Sequence, residues 1–370
     1  MQVEQVDLLS KFESLRDEWN ALLETSQAYT IFLSWEWLFT WWKIFGTPNK
    51  LFLLTVREDS ELVGIAPLYL ETAKFAYSFS YRQLGFLGSH HVGSDYLDFI
   101  ISPHNTATVT RAILDYLEQN RKQWDILKLT DILESSCTLH TLREYWQNKF
   151  HFSSRVSQTC PYVELPSTWE DFLQSIGART RKNIRQAKRR FEKNGYRFEV
   201  VEQRDEVAHA IDEIVDLHQG RAQSKKIVSP FGEEKFCEFH RSVIPLLAER
   251  DSAKFYFIRQ NGKTLAGKYL YSDGRKRYGY ITAINDEFAR LSPGVSLLAH
   301  CIEDAIAAGI DEFDFLRGRE TWKTHWTSRQ RQTATLEVYN GTFLMMLRYW
   351  FSKSRAAAKS LVRKYVRPKN

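Results

Sequence analysis

Two kinds of apolar spacing alternate along this chain, one typical of amphipathic helices and one typical of short β-strands. Leu33, Trp37 and Trp41 recur at helical intervals within a Trp-rich segment. Ser34 is a suitable N-cap for this segment, so we predict a helix whose tryptophans are largely buried. Two predicted strands follow, LFLLTV and LVGIAPLYL, and the polar turn 57–61 separates them.

The same order of elements returns in the second half of the chain. KFYFIR and TLAGKYLYS align with the first two strands at a constant offset of 203 residues. Each copy continues with a further strand, a helix (near 107–120 and 295–308) and a strand that begins with Asp. We therefore predict two tandem α/β modules, residues 1–165 and 166–341. Three residues are identical at this offset: Phe52 and Phe255, Leu62 and Leu265, and Gly64 and Gly267.

A strongly basic segment, residues 178–193, precedes the strands of the second copy. We predict a helix here, ended by Asn194 and Gly195, with Ile184 on its apolar edge. Its basic face has two interpretations. It is either a solvated surface or a clamp for the phosphates of a cofactor, a lipid-linked sugar or RNA, in which Arg185 would contact the ligand.

The start of the next predicted helix has the features of an anion-binding site. Ser292 is a suitable N-cap, and Pro293 is a good first helical residue. Gly294 leaves the backbone N–H groups of the first turn open to an anionic ligand. We predict that the phosphates of a co-substrate dock there, on Ser292, Gly294, Val295 and Ser296.

Residues around this helix match a family signature: Asp286, Ser292-Pro293-Gly294, Leu297, His300, Phe313-Asp314-Phe315, Arg317-Gly318, Glu320, Lys323 and Trp326. In these residues the chain resembles the CelD-like acyltransferases, a branch of the GNAT superfamily. That branch is related in architecture to the FemABX peptidyltransferases, which use aminoacyl-tRNA. The resemblance extends over most of residues 30–340. It implies an α/β fold of two tandem GNAT-like modules, each a mixed, mostly antiparallel central sheet flanked by helices. It departs at Trp322, where the family commonly has Tyr.

Acyl transfer from a thioester requires a group that removes a proton from the acceptor. Glu320 is the predicted base, because it lies beyond the carboxyl end of a strand, where open α/β sheets bind ligands. Asp314 is the second candidate. Lys323 would hold phosphate or neutralise developing negative charge. The alternative is that Glu320 and Lys323 form a structural ion pair.

Predicted acceptor contacts come from both halves of the chain. Asp95 and Tyr96 follow a Gly/Ser turn, where they would orient the acceptor or merely cap the turn. His218 and Arg221 lie one turn apart near a helix end, and a structural role for His218 is the alternative. The full set, several of them implied by the resemblance, is Asp95, Tyr96, Arg185, His218, Arg221, Tyr280, Trp322 and Trp326.

Composition narrows the class of protein. The four cysteines lie far apart without C-x-x-C spacing, so neither a zinc site nor a disulfide framework is predicted. The N-terminus has no secretory pattern, and no apolar run approaches roughly 18 residues, so we expect a cytoplasmic protein. Residues 342–370 have eight Lys and Arg and no acid, which accounts for the net charge of +6. This tail is predicted to be a basic amphipathic helix that either packs or lies at the inner membrane face.

The sequence therefore predicts an acyltransferase that moves an acyl group, acetyl in the simplest case, from acyl-CoA without a metal. The acceptor would be an amine or hydroxyl of a small molecule or a polysaccharide precursor. One alternative is FemABX-type transfer of an amino acid from tRNA, bound by helix 178–193. The other is a non-catalytic, membrane-peripheral assembly factor anchored by residues 342–370. Motifs of metallohydrolases, serine hydrolases and P-loop proteins are absent from the sequence.

Overall fold

A computed structural model of the protein describes residues 1–75, 79–147, 149–318, 320–341, 345, 346 and 348–350. The strands of the first half are β1 (Gln2–Val6), β2 (Lys50–Leu51), β3 (Leu53–Glu58), β4 (Glu61–Ala66), β5 (Leu68–Phe75), β6 (Phe79–Phe86), β7 (Ile100–Ile101), β8 (Ile126–Leu133) and β9 (His151–Glu164). Its helices are α1 (Leu9–Ser14), α2 (Arg16–Thr25), α3 (Trp35–Phe45), α4 (Thr106–Gln119) and α5 (Cys137–Trp146).

The second half begins with two helices and ends with a strand. Its helices are α6 (Trp169–Ser175), α7 (Ala178–Lys193), α8 (Arg204–Lys225), α9 (Glu234–Ala248) and α10 (Pro293–Ala307). Its strands are β10 (Arg197–Val201), β11 (Ala253–Gln260), β12 (Lys263–Ser272), β13 (Lys276–Ile284), β14 (Glu312–Asp314) and β15 (Gln330–Tyr339).

The described strands form a four-stranded sheet, β1-β3-β4-β7, and an 11-stranded sheet that runs through both halves. The order of the long sheet is β10-β11-β12-β13-β14-β9-β15-β8-β6-β5-β2. Its pairs are antiparallel except β6 with β8 and β13 with β14. This confirms the predicted α/β class with mixed, mostly antiparallel sheets flanked by helices.

Strand β9 joins the two halves of the long sheet, because it pairs with β14 at one end and β15 along the rest. Strand β15, the last strand described, returns to lie between β8 and β9 of the first half. Residues 330–339 therefore complete the sheet of the first half, although they belong to the second of the two modules predicted with a boundary at residue 165.

The Trp-rich segment forms the predicted buried helix α3. The Ser34 hydroxyl accepts a hydrogen bond from the Trp37 backbone N–H, as the predicted N-cap requires. Trp37 and Trp41 are fully buried. The Trp37 ring lies edge-on to Phe239 of α9, with ring centroids 4.8 Å apart, so the two halves share one apolar core.

No helix within the described residues is long and apolar enough to cross a membrane. The predicted amphipathic tail helix over 342–370 falls almost entirely outside those residues.

The two glycines that match between the copies have the same packing role. A Cβ atom on Gly64 of β4 would overlap Cγ1 of Val109 in α4, and one on Gly267 of β12 would lie 2.6 Å from Cδ1 of Ile214 in α8. Each glycine therefore allows a helix to pack closely on its strand.

We predict that Gly64→Ala destabilises the protein by about 1–3 kcal/mol, because the β-branched Val109 cannot turn away easily. Gly220→Ala is the matched control, since no atom lies within 4 Å of a Cβ there and the residue is inside helix α8. That control should stabilise by roughly 0.5–1 kcal/mol. Urea unfolding measures both changes, and an unaltered midpoint for Gly64→Ala would contradict this account.

Candidate functional site

The parallel strands β13 and β14 pair over only three residues each. They pair over residues 276–278 and 312–314, after which β13 continues through residues 279–284 without β14. The chain after β14 turns instead towards β9, where the Phe315 N–H donates to the Pro161 carbonyl at 3.0 Å. We call the opening between residues 279–284 and the chain after β14 the strand split. It lies at the carboxyl ends of parallel strands, where α/β sheets bind ligands.

A β-bulge lies at the start of the strand split. Tyr269 of β12 faces Ile281 of β13, but the next residue, Leu270, faces Gly279. Tyr280 is therefore an extra residue that pairs with no residue of β12. A bulged residue is left out of the regular ladder, so the pairing of β13 with β12 changes register at the strand split.

The start of α10 is partly open, because Pro293 has no N–H and the Val295 N–H donates to the Ser292 carbonyl at 3.1 Å. Ser292 occupies the predicted N-cap position, but its backbone is left-handed (φ 57°) and its hydroxyl makes no capping hydrogen bond. A capping hydroxyl needs the extended backbone that Ser292 lacks. Ser296 in the first turn is buried, and its Oγ has no hydrogen-bond partner among the described residues. Gly294 and Val295 are half-buried beside it.

The loop after β14 brings Glu320 and Lys323 together. The Lys323 ammonium lies 3.0 Å from Oε2 of Glu320 and donates to the backbone carbonyls of Leu316 (3.2 Å) and Arg317 (2.7 Å). Its side chain is only 5% exposed, whereas that of Glu320 is 53% exposed. The ion pair that sequence analysis left open is thus present, and it leaves the Glu320 carboxylate accessible to solvent.

Lys268 of β12 is a residue that sequence analysis missed. It is 3% exposed, and its ammonium donates to Thr282 Oγ1 at 2.8 Å. Burial lowers the pKa of Lys268 to about 8, and the Lys323 cation adds to this shift. Lys323 is therefore an electrostatic neighbour of Lys268. A single lysine inside the otherwise apolar strand TLAGKYLYS was the available sequence signal.

Arg317 connects this loop to the first half of the chain. Its Nε donates to Asp95 Oδ1 at 2.7 Å, and its backbone N–H donates to Asp95 Oδ2 at 3.0 Å. One terminal nitrogen also lies 3.4 Å from Asp131. Asp95 is fully buried, and burial raises its pKa to about 6 although Arg317 opposes the shift. The structure thus places Asp95 beneath the loop, bonded to Arg317.

Asp314 and Tyr96 meet in a second buried contact between the halves. The Tyr96 hydroxyl donates to Asp314 Oδ2 at 2.7 Å, and the Leu316 backbone N–H donates to Oδ1 at 2.7 Å. Arg331 of β15 lies 3.8 Å from the same carboxylate. Burial raises the pKa of Asp314 to about 7, opposed by Arg331 and by the Tyr96 hydrogen bond. Asp314 is fully buried, so of the two predicted bases only Glu320 is exposed.

Tyr280 joins a buried cluster of hydroxyls around His240 of α9. Its hydroxyl donates to the Val92 carbonyl of the first half and lies 3.4 Å from His240 Nε2. The other ring nitrogen lies 3.2 Å from the Tyr269 hydroxyl and 3.3 Å from that of Tyr271. Burial lowers the pKa of His240 to about 3, so the ring is neutral near pH 7. The sequence FCEFHRS shows only a histidine at helical spacing, which does not indicate a hydrogen bond to Tyr280.

His218 and Arg221 lie near the end of α8, apart from these contacts. His218 Nδ1 is 2.9 Å from the Ser229 hydroxyl, and burial lowers the pKa of His218. Arg221 lies 3.9 Å from Asp286, in the turn that leads to α10. Arg221 therefore belongs to the α10 side of the site, whereas His218 holds the loop after α8.

The remaining predicted contacts are dispersed. Trp322 is 42% exposed beside Lys323, whereas Trp326 is buried and stacks on Phe172 with ring centroids 6.5 Å apart. Arg185 is exposed on α7, and no hydrogen bond or ion pair within the described residues joins it to the loop after β14. The structure brings together Glu320, Lys323 and Trp322, and leaves Arg185 and Trp326 apart from them.

Comparison with known proteins supports the reading of this region. Residues 178–324 match a family model described as an acetyltransferase (GNAT) domain. The matched range contains α7, the strand split, the start of α10 and the Glu320–Lys323 loop. The predicted resemblance to GNAT acetyltransferases is therefore confirmed for this domain, and the CelD-like type stays a prediction.

Solved structures share the fold over nearly the whole chain. FemX has 12% identity and a TM-score of 0.67, and the match covers 94% of this chain and 100% of FemX. A conserved protein from Bacteroides thetaiotaomicron has 10% identity and a TM-score of 0.56, with 92% and 100% covered. L-PGS from Bacillus licheniformis has 13% identity and a TM-score of 0.54, with 90% and 95% covered. At these identities the likeness shows the fold alone. The search of curated proteins returned no match.

Loss of the Arg317 side chain should be strongly destabilising. Arg317→Met leaves the buried Asp95 carboxylate without its cation, which typically costs about 3–5 kcal/mol. The double variant Arg317→Met with Asp95→Asn removes the buried charge as well and should recover most of that loss. Chemical denaturation of the wild type, both single variants and the double variant measures the coupling. Strict additivity of the two single changes would contradict it.

Asp314 should make stability depend on pH. Its pKa in the folded protein, about 7, lies above the ordinary value, so its contribution is complete below about pH 4. The contribution is lost as the pH rises through 7. Asp314→Asn accepts the Tyr96 hydrogen bond without ionising, so wild type should lose stability relative to this variant between pH 5 and pH 8. Melting temperatures across that range test this, and parallel curves would contradict it.

Proposed function

We propose that this protein is an acyltransferase that moves an acyl group, acetyl in the simplest case, from acyl-CoA to an amine or hydroxyl. The observation that supports this most directly is the strand split beside the uncapped start of α10. Both features lie inside the range that matches the GNAT acetyltransferase family model. The strand split would admit the thioester arm, and the helix start would hold the phosphates.

The first turn of α10 suits a diphosphate for two reasons. The helix dipole favours an anion, and the Gly294 N–H would face it, whereas the Val295 N–H already donates to the Ser292 carbonyl at 3.1 Å. The buried Ser296 hydroxyl has no hydrogen-bond partner in the described part of the chain and would donate to a phosphate oxygen. Gly294 permits close approach, because a side chain there would already press against Ile284.

The reaction requires charge stabilisation at the carbonyl and removal of a proton. The acceptor nitrogen or oxygen attacks the thioester carbon, the new bond forms, the C–S bond breaks, and the thiolate leaves. The Tyr280 backbone amide at the bulge would donate to the carbonyl oxygen as it becomes negative. Glu320, which is exposed, would take the proton from the acceptor. Lys323, held by two carbonyls, would keep that carboxylate in place.

The acceptor would bind where the two halves meet. Tyr280 touches the Val92 carbonyl, and Arg317 binds Asp95, so residues of the first half form one wall beside the strand split. A sugar or polysaccharide precursor, as the sequence resemblance implies, is the acceptor class that we propose. We keep contact of residues 342–370 with a membrane surface as a further proposal.

Transfer of an amino acid from tRNA is the second candidate. The observation in its favour is the exposed basic face of α7, on which Arg185 has no ion pair with a described acid. Such a face binds phosphates of RNA in a salt-dependent way. Saturable, salt-sensitive tRNA binding that falls on Arg185→Glu would favour this candidate over acyl-CoA.

Acetyl-CoA binding should depend on the start of α10. Gly294→Asp adds a carboxylate against the expected phosphates and a Cβ 3.0 Å from Ile284, so affinity should fall by roughly tenfold or more. Gly232→Asp, with the same charge change at an exposed glycine that has no atom within 4 Å, should bind as wild type does. Isothermal titration calorimetry measures both. Equal affinity of Gly294→Asp and wild type would remove the α10 site.

A further inference from the structure

Lys268 is a buried cation whose contacts with the described residues include no carboxylate. It is 3% exposed, and no acid among the described residues forms an ion pair with it. Among the described residues, its hydrogen bond goes to the neutral Thr282 hydroxyl. An ammonium group has three donors, so two N–H groups stay uncommitted. A buried charge of this kind is costly to keep unless a ligand uses it.

The surroundings of Lys268 increase that cost. Lys323 is the second cation of this region, and it lowers the pKa of Lys268 further than burial alone does. The Cys301 thiol of α10 is the neighbour on the helix side, and burial raises its own pKa to about 12, so it stays neutral. The two ammonium groups therefore repel each other, and within the described part of the chain Lys323 has a carboxylate partner, Glu320, whereas Lys268 has none.

Only the Thr282 side chain lies between the Lys268 ammonium and the strand split. Thr282, its partner, is exposed on the part of β13 that has separated from β14. Gly279 lies on the same edge, and the Lys268 Nζ would be only 3.3 Å from a Cβ there. Cε1 of Phe313 would lie 3.2 Å from the same Cβ, so the glycine makes room for the Lys268 ammonium beside the Phe313 ring, and Thr282 connects that ammonium to the strand split.

The other polar groups at the strand split are already committed. Lys323 donates to two backbone carbonyls and pairs with Glu320. The Tyr280 hydroxyl donates to the Val92 carbonyl. Of these groups, Lys268 is the one with free N–H donors for a leaving group.

We propose that Lys268 is a catalytic residue that donates a proton to the sulfur of the departing CoA thiolate. This inference rests on the proposed acyl-CoA function. When the acceptor attacks, the C–S bond breaks and its electron pair moves to sulfur. One Nζ–H proton of Lys268 then moves to that sulfur and gives the free thiol. Glu320 holds the proton taken from the acceptor, and exchange of one proton with solvent restores both groups.

The ionisation of Lys268 agrees with this role. Its pKa of about 8, lowered by burial and by the Lys323 cation, keeps it mostly protonated at pH 7 and still able to release a proton. An ordinary surface lysine is a far weaker acid.

The test compares two acyl donors in Lys268→Met and wild type. Acetyl-CoA needs a protonated leaving group, whereas the acetyl thioester of 4-nitrothiophenol releases a thiolate stable enough to depart alone. With acetyl-CoA, Lys268→Met should lose roughly 100-fold or more in kcat with little change in KM. With the aryl thioester the loss should be less than about threefold, because general-acid help is no longer needed.

Two further variants separate proton donation from folding. Lys268→Arg keeps the cation, but its guanidinium does not release a proton, so its loss with acetyl-CoA should match that of Lys268→Met. Lys263→Met, at an exposed lysine on the same strand, should behave as wild type. Lys268→Met should also melt no lower than wild type, because a buried unpaired charge has been removed.

The outcomes distinguish this inference from the function on which it rests. Wild type that transfers acetyl while Lys268→Met does so equally well overturns the Lys268 assignment alone. An equal loss with both donors, or a lowered melting temperature for Lys268→Met, also overturns it. Wild type that transfers from neither donor overturns the proposed function and this inference together.

Discussion

The fold depends on buried ionic contacts between its two halves, above all the one between Arg317 and Asp95. Residues 315–318 and 320–322 lie outside helices and strands, so their position must come from side chains. Asp95 accepts two hydrogen bonds from Arg317, one from the backbone and one from the side chain. Because Asp95 is fully buried, neither partner can leave without exposing an uncompensated charge to an apolar interior. The candidate base Glu320 is therefore positioned from the first half of the chain.

The hydrogen bond from Tyr96 to Asp314 holds the same loop at its beginning, directly after β14. Asp314 ends β14, the short strand whose separation from β13 creates the strand split. A longer β14 would close that opening with backbone hydrogen bonds, so its three residues are a condition for ligand entry. The bulge at Tyr280 and the left-handed turn at Ser292 interrupt regular backbone structure on the opposite side of this opening. The proposed ligand contacts therefore lie where the backbone hydrogen bonding of β13 with its neighbouring strands ends or changes register.

Sequence reasoning located the elements but not the contacts between them. Helix α7 begins and ends at the predicted residues, because its charge pattern and Gly195 define it locally. Ser292 was found through its neighbours Pro293 and Gly294, but its left-handed backbone is set by tertiary structure. Asp95 was identified from a local turn pattern, whereas its partner lies more than two hundred residues away. The roles of Lys268 and His240 depend on which side chains surround them, and no local spacing contains that information.

The return of β15 to the first half has a consequence for biosynthesis. Its partners β8 and β9 are translated long before it, and they must wait for residues 330–339 to leave the ribosome. Until then two long strand edges stay unpaired in a nascent chain, which are the surfaces that favour aggregation. Neither half can therefore mature as a separate translation product, and a premature stop before residue 330 would release an incomplete sheet that invites chaperone capture.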